Sequence, residues 1–227
     1  MEGYLSEKEQ WEAIKLWIRE NGLWIVAGVA VGAAGIGGYR WYQQYRDQLA
    51  MQAGAKYERL SEAFERGDRT QGLVLLGELE RESASSPYLD QARMMAARAY
   101  VVSGELDKAA KELETVAAHS KDREIVLIAR LRLARVQIAE HKPDLALATL
   151  NSGPAGAFES RYDEVRGDAY YAKGDKASAL KEYLQARAIN VAGGPDASEL
   201  ELKISDLAAD AGAAKAAAAP PTAAVSK

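Results

Sequence analysis

The pattern of hydrophobic and polar positions divides the chain into a short apolar part and a long helical part. Residues 21–39 read NGLWIVAGVAVGAAGIGGY and contain no Asp, Glu, Lys or Arg. As a helix, this run would be about 28 Å long at 1.5 Å per residue, close to the ~30 Å hydrocarbon core of a bilayer. Aromatic rings that favour the headgroup layer surround it, namely Trp11, Trp17, Trp24, Trp41, Tyr39, Tyr42 and Tyr45. The pattern predicts one transmembrane helix over 21–39.

Two alternatives for the apolar run remain open. A cleaved signal peptide has a short basic leader, whereas residues 1–20 contain more Glu than Lys and Arg. A buried core helix is usually amphipathic or shorter. An uncleaved anchor therefore agrees best with the sequence. Within the run, Gly28 and Gly32 form a GxxxG pair, which predicts a face where another membrane helix packs, although small residues are also common in membrane helices.

Beyond residue 46, residues that favour helix dominate, and a repeat is present. Turn residues recur at intervals of 37, 37 and 33. Small residues stand seven before and five after most of the turns, and large hydrophobes nine after them. This spacing is typical of tetratricopeptide repeats, in which a glycine forms a left-handed turn between two closely packed helices. The turn positions are Gly67, Gly104, His141 and Gly174.

The predicted fold class is all-α, with a single N-terminal transmembrane helix followed by a tetratricopeptide-like α-solenoid of about four helical hairpins. Segment 197–208 is predicted to be a final helix that caps the solenoid. The tail, 208–227, contains 11 alanines and two adjacent prolines and is predicted to be disordered. The predicted segments are 1–20, the membrane helix 21–39, a stalk over 40–50, the solenoid over 51–207 and the tail.

Composition excludes several classes of function. The net charge of −4 and the pI near 5.4 argue against nucleic-acid binding. The chain has no cysteine and only two histidines, without tight carboxylate neighbours, so no metal site is predicted. It also lacks a phosphate-binding loop and a nucleophile motif. We therefore expect no enzymatic activity and no cofactor.

A partner-binding surface is predicted on the first helix of each hairpin, which lines the concave face of such solenoids. Apolar residues alternating with two arginines would suit an extended or helical peptide that carries some negative charge. The alternative is that these side chains pack against neighbouring repeats or a capping helix. By repeat position, the candidates are Tyr57, Phe64, Met94, Arg98, Val101, Leu131, Arg135, Ile138, Asp168 and Tyr171.

The chain resembles the YfgM family in several segments. These are the acidic N-terminus, ENG at the start of the apolar run, a glycine-rich span ending in GYRW at 38–41, LRLARVQ at 131–137 and RGDAYYAKGD at 166–175. The resemblance covers nearly the whole chain except the Ala/Pro tail. It implies an ancillary subunit of the SecYEG translocon, a single-pass protein of the bacterial inner membrane. It also implies a cytoplasmic N-terminus (1–20) and a periplasmic tetratricopeptide domain (51–207).

The implied partners are SecYEG, a PpiD-like membrane-anchored chaperone, unfolded secretory polypeptides and the lipid bilayer, and emerging chains would pass to periplasmic chaperones. Charge does not fix the orientation, because Lys and Arg number three in 1–20 and four in 40–59. Two other functions stay open. The solenoid could be a scaffold that clamps one folded partner, or the protein could be a regulator that acts through Trp11, Ile14 and Ile18, which share a helical face.

Overall fold

The computed structural model describes residues 7–189 and 194–217, and side chains over 8–189 and 194–209. Within these ranges the chain forms nine α-helices, one short 3₁₀ helix (Gly156–Phe158) and no strand. The α-helices are α1 (Glu7–Glu65), α2 (Arg69–Glu82), α3 (Pro87–Val102), α4 (Leu106–His119), α5 (Arg123–Ala139), α6 (Pro143–Leu150), α7 (Glu159–Ala172), α8 (Lys176–Ala188) and α9 (Ala197–Ala217).

The chain divides into two units, Met1–Ala55 and Lys56–Lys227. The first unit contains the apolar run, which belongs to a helix long and apolar enough to cross a membrane. The second unit contains four helical hairpins, formed by the end of α1 with α2, by α3 with α4, by α5 with α6 and by α7 with α8. The final helix, α9, packs on α8 through Leu200, Ile204 and Leu207. The all-α prediction and the count of four hairpins are confirmed.

The four hairpin turns share one geometry, which follows from the residue at each turn. The backbone φ is +77° at Gly67, +75° at Gly104, +81° at Gly174 and +60° at His141. At each turn the next residue's N–H donates to a carbonyl five residues back, as from Asp68 to Ala63 at 2.8 Å. This pattern ends a helix with a left-handed residue. The repeat found in the sequence therefore corresponds to a turn conformation that recurs in the backbone.

Close approach of paired helices explains two of the small residues in the repeat. A Cβ atom added to Gly167 in α7 would lie 2.4 Å from Cε1 of Tyr183 in α8. A Cβ atom added to Gly72 in α2 would lie 2.7 Å from Cε1 of Phe64. The aromatic rings therefore occupy the space that side chains at these positions would need.

The helix boundaries differ from the predicted segments at both ends. One helix, α1, includes the described part of the N-terminal segment, the apolar run and the predicted stalk. At the other end, α9 continues to Ala217, past the predicted start of the disordered tail at 208. Alanine has the highest helix propensity, which favours helix in this alanine-rich segment. Residues 218–227 lie outside the described residues, as do 1–6 and 190–193.

Candidate partner-binding surface

The apolar run of α1 exposes its large side chains. In the most apolar 18-residue stretch of this helix, no residue is buried by the rest of the protein. Leu23, for example, is 80% exposed and Val31 is 73% exposed. A soluble protein rarely exposes a continuous apolar surface of this kind, because hydration of apolar side chains is unfavourable. This exposure argues against the buried core helix considered above and favours contact with lipid.

The predicted helix-packing positions Gly28 and Gly32 lie in this part of α1. A Cβ atom added to either glycine would meet nothing within 4 Å. The face they form is therefore uncovered in the isolated chain. Close approach of a second helix at this face stays a prediction.

A groove on the hairpin unit brings four of the predicted candidates together. It lies between α3, α4 and α5 and has a volume of about 410 Å³. We call it the arginine groove, and its lining consists of Met94, Ala97, Arg98, Val101, Leu106, Leu113, Arg132, Arg135, Val136 and Ala139. Its floor is apolar and three guanidinium groups stand at its edges. Val101 is 42% exposed, so part of the apolar lining is open to solvent.

The three arginines affect one another electrostatically. The pKa of the Arg132 guanidinium is lowered, first because neighbouring protein removes part of its hydration and then because the charges of Arg98 and Arg135 repel its proton. Among the described residues, neither Arg98 nor Arg132 forms an ion pair. The groove therefore concentrates positive charge on a chain whose net charge is −4.

Arg135 is the one arginine of the groove with a carboxylate partner among the described residues. Its Nη2 atom lies 3.4 Å from Oε2 of Glu164 in α7, a buried side chain. The other oxygen of Glu164 lies 3.0 Å from Nζ of Lys203 in α9. Lys203 is also 3.0 Å from Oδ1 of Asp168, which accepts a hydrogen bond from the Tyr183 hydroxyl at 2.8 Å. This network, from Arg135 through Glu164 to Lys203, fixes α9 against α7 and α8.

The remaining candidates do not line the arginine groove. Leu131 is instead buried in the core with 4% exposure, because it packs with residues of α6 and α7. Ile138 packs partly buried against the same core. Tyr57 stacks on Tyr88 with a centroid distance of 5.5 Å. Tyr171 is 55% exposed outside the groove.

Phe64 and Asp168 have contacts of their own. Phe64 packs against the core of the first hairpin and lines a neighbouring groove of about 600 Å³, which also includes Arg98 and Met95. Asp168 belongs to the network around Lys203. For Tyr57, Leu131 and Ile138, the alternative of packing within the solenoid describes the structure better than an open binding surface.

Sequence reasoning missed Arg132. The sequence places it three residues before Arg135, so both can share one helix face. Arg98 and Arg135 occupy the same position in successive repeats, 37 residues apart. These two spacings were the available signal for a cluster of three arginines. Leu131, the residue before Arg132, was predicted instead, but its position on α5 faces the core.

A second charged cluster lies on the last hairpin. Arg166 of α7 pairs with Asp163, and its Nη1 atom lies 3.2 Å from Glu159 and 4.0 Å from Glu182 of α8. Burial raises the pKa of Asp163 to about 6, and the charges of Glu159 and Glu182 add to the effect although Arg166 opposes it. In the part of the chain that the structure describes, no group of His, Asp and Glu has an arrangement that could hold a metal ion.

Comparison with known proteins agrees with this architecture. Residues 15–209 match the family described as "Tetratricopeptide repeat-like domain". The chain is 30% identical over 179 residues to the "Ancillary SecYEG translocon subunit" of Escherichia coli K12, over 79% of this chain and 86% of that protein. It is 26% identical to the protein of the same name from Haemophilus influenzae, over 81% and 89% of the two chains.

Among solved structures, BtubC from P. vanneervenii superposes with a TM-score of 0.60 and 18% identity, over 83% of this chain and 90% of that one. An identity this low supports the fold alone. The family model supports more, because the residues it matches, 15–209, belong to both units of the chain. The chain belongs to the tetratricopeptide repeat-like family of ancillary SecYEG translocon subunits.

Proposed function

We propose that this protein is a non-catalytic accessory of the SecYEG translocon that binds partner proteins beside the channel. It would be a single-pass protein of the bacterial inner membrane, with residues 1–20 in the cytoplasm, 21–39 in the bilayer and the hairpin domain in the periplasm. Its partners would be SecYEG, a PpiD-like membrane-anchored chaperone and unfolded secretory polypeptides. The names of its relatives support association with the translocon. The other partners are proposed from the family resemblance.

The observation that carries this proposal is the combination of two surfaces in one chain. The apolar run of α1 is uncovered by protein, and the hairpin unit has an open groove with an apolar floor. An anchor confines the groove to the membrane surface, which raises its effective concentration near chains that leave a channel in the same membrane. A weak binder can therefore act efficiently there. This arrangement fits a protein that receives emerging polypeptides and passes them on.

Co-purification of the full-length protein tests the association. Tagged protein extracted in mild detergent is expected to retain SecYEG, whereas a variant whose span is replaced by an unrelated transmembrane helix should retain less. A reporter fused after residue 207 is expected to be active only as a periplasmic enzyme. Absence of SecYEG from the purified material, or a cytoplasmic reporter, would contradict the proposal.

A second candidate function is a scaffold that clamps one folded partner and never contacts clients. The arginine groove favours it, because three guanidinium groups in one lining suit one defined acidic ligand better than many sequences. Photo-crosslinkers at Met94 and Arg132, with Tyr171 as an exposed position outside the groove, separate the two functions. Many crosslinked species at the groove indicate emerging polypeptides, and a single species indicates a scaffold.

A further inference from the structure

The positive charge of the arginine groove is only partly balanced by carboxylates of the described residues, in a protein whose net charge is −4. Arg98 and Arg132 have no carboxylate partner among the described residues, and Arg135 shares Glu164 with Lys203. The pKa of Arg132 is lowered, first because neighbouring protein removes part of its hydration and then because Arg98 and Arg135 repel its proton. Like charges held close together are unfavourable in the free protein. A ligand that brings negative charge would remove this repulsion.

Besides negative charge, a ligand of the groove needs apolar side chains of limited size. Met94, Val101 and Leu106 contribute apolar surface to the same lining as the guanidinium groups. A volume of about 410 Å³ holds a few side chains and is too small for a folded domain. The neighbouring groove of about 600 Å³ also includes Arg98. A continuous segment of chain could therefore lie along both grooves and pass Arg98 between them.

From these contacts we propose that the arginine groove binds an acidic segment of a partner protein, in which carboxylates flank apolar side chains. Guanidinium groups bind carboxylates through paired, charge-assisted hydrogen bonds, and the apolar floor takes the side chains between them. The proposal rests on the proposed function, since it names the ligand of the same surface. It also adds a restriction: segments rich in Lys and Arg would be repelled.

An anionic lipid surface is the competing ligand for three arginines. A bilayer is flat on the scale of a side chain, whereas these arginines border a groove formed by three helices. Part of the apolar lining is buried, namely Ala97, Leu113 and Val136, whereas the three arginines are exposed, so the groove suits inserted apolar side chains flanked by carboxylates. The geometry therefore favours a peptide, and the experiment below includes a lipid as a separate ligand.

Fluorescence anisotropy on the full-length protein in phosphatidylcholine nanodiscs tests the proposal. The probe is a short fluorescein-labelled peptide in which Asp and Glu alternate with Leu, and the matched probe has Lys in place of every acid. We expect binding of the acidic probe alone, and weaker binding as salt is added. Arg98→Glu and Arg132→Gln should each lower the affinity for the acidic probe by about tenfold to a hundredfold, which is the usual effect of losing charge-assisted hydrogen bonds.

Arg123→Glu is the matched control, because it makes the same change of charge as Arg98→Glu. Arg123 is an exposed residue of α5 that lies outside the groove. The control should leave the affinity unchanged. Arg98→Glu should also keep the fold, since a glutamate there would lie beside Arg132 and Arg135, and circular dichroism checks this. Any of three results would overturn the proposal. The two probes could bind equally, or the affinity could be unchanged in Arg98→Glu and Arg132→Gln. The third result is displacement of the labelled peptide by monomeric short-chain phosphatidylglycerol at a lower concentration than by unlabelled peptide.

These outcomes are independent of the association with the translocon. If peptide binding fails while SecYEG still co-purifies, the ligand assignment is wrong and the proposed function stands. If the acidic peptide binds through the arginines while SecYEG does not co-purify, the groove is assigned correctly and the translocon role is wrong.

Discussion

Single residues set how closely the paired helices approach. Gly167 of α7 faces the ring of Tyr183, which is buried and held by its hydrogen bond to Asp168. Burial of the hydroxyl group, together with the charge of Asp168, raises the pKa of Tyr183, so this side chain stays protonated and continues to donate. A methyl group at position 167 has no free space, because the ring cannot move without breaking this hydrogen bond.

Gly167→Ala should therefore lower the free energy of unfolding by about 1–3 kcal/mol, the usual cost of overpacking. Gly77→Ala in α2 is the matched control, because nothing lies within 4 Å of an added Cβ there. The control should stabilise the protein by up to about 1 kcal/mol through helix propensity. Urea unfolding followed by circular dichroism measures both, and equal effects in the two variants would refute this explanation.

Asp163 should make stability depend on pH. Its pKa is raised to about 6 from 3.8, so between these values the folded protein binds a proton that the unfolded chain does not. The contribution of Asp163 is therefore fully present below about pH 4 and is lost as pH rises through about 6. Its size is on the order of 3 kcal/mol.

Asp163→Asn should remove this contribution, so the free energy of unfolding should fall less, or rise more, between pH 4 and pH 6 than in the unchanged protein. Unfolding curves at several pH values measure the slope. Asp206→Asn, at an exposed position in α9, serves as the control. A slope that is unchanged in Asp163→Asn would show that this carboxyl titrates normally.

At the scale of helices, α9 depends on one lysine. Its apolar residues Leu200, Ile204 and Leu207 pack on α8, and Lys203 between them reaches Glu164 and Asp168 of α7. Although burial lowers the pKa of Lys203, the charge and hydrogen bonds of Asp168 and Glu164 raise it overall, so the ammonium group stays charged. A terminal helix of a solenoid covers apolar surface that would otherwise face water.

Lys203→Met should loosen α9 and lower the free energy of unfolding by about 1–3 kcal/mol, because the buried Glu164 loses a partner. Hydrogen exchange should become faster in α9 and stay unchanged in α3 and α4. Lys181→Met, an exposed lysine of α8, is the control and should change neither quantity. If exchange in α9 is equally slow in Lys203→Met, its apolar contacts alone hold the helix.

At the scale of the whole molecule, the uncovered glycine face of the membrane helix concerns assembly. Gly28 and Gly32 lie one turn apart, and space around them is open in the isolated chain. Small residues at this spacing let two helix backbones come close in lipid. A partner helix in the membrane would then contribute to association with the translocon.

Gly28→Leu combined with Gly32→Leu should reduce co-purification of SecYEG while the hairpin unit keeps its circular dichroism signal. The control is Ala30→Leu combined with Gly37→Leu, which adds the same side chains to the opposite face of α1. The control should retain SecYEG. Equal retention by both pairs would show that the glycine face makes no contact with a partner helix.

Much of this architecture followed from local sequence. A left-handed turn needs glycine or a tolerant residue, so Gly67, Gly104, Gly174 and His141 could be found from their spacing alone. The apolar run could be found because a bilayer requires a minimum length without charge. The extension of α9 past 208 was not predicted, because alanine is common in both helices and disordered tails.

The sequence by itself determined the membrane-length helix, the four hairpins and the residues at their turns, because each depends on neighbours along the chain. Only the tertiary structure decided which helix positions form a surface. Leu131 and Arg132 are adjacent in sequence, yet one is buried and the other lines the arginine groove. Adjacent residues point about 100° apart on a helix, and the packing of α5 against α3, α4 and α6 selects which direction faces the core.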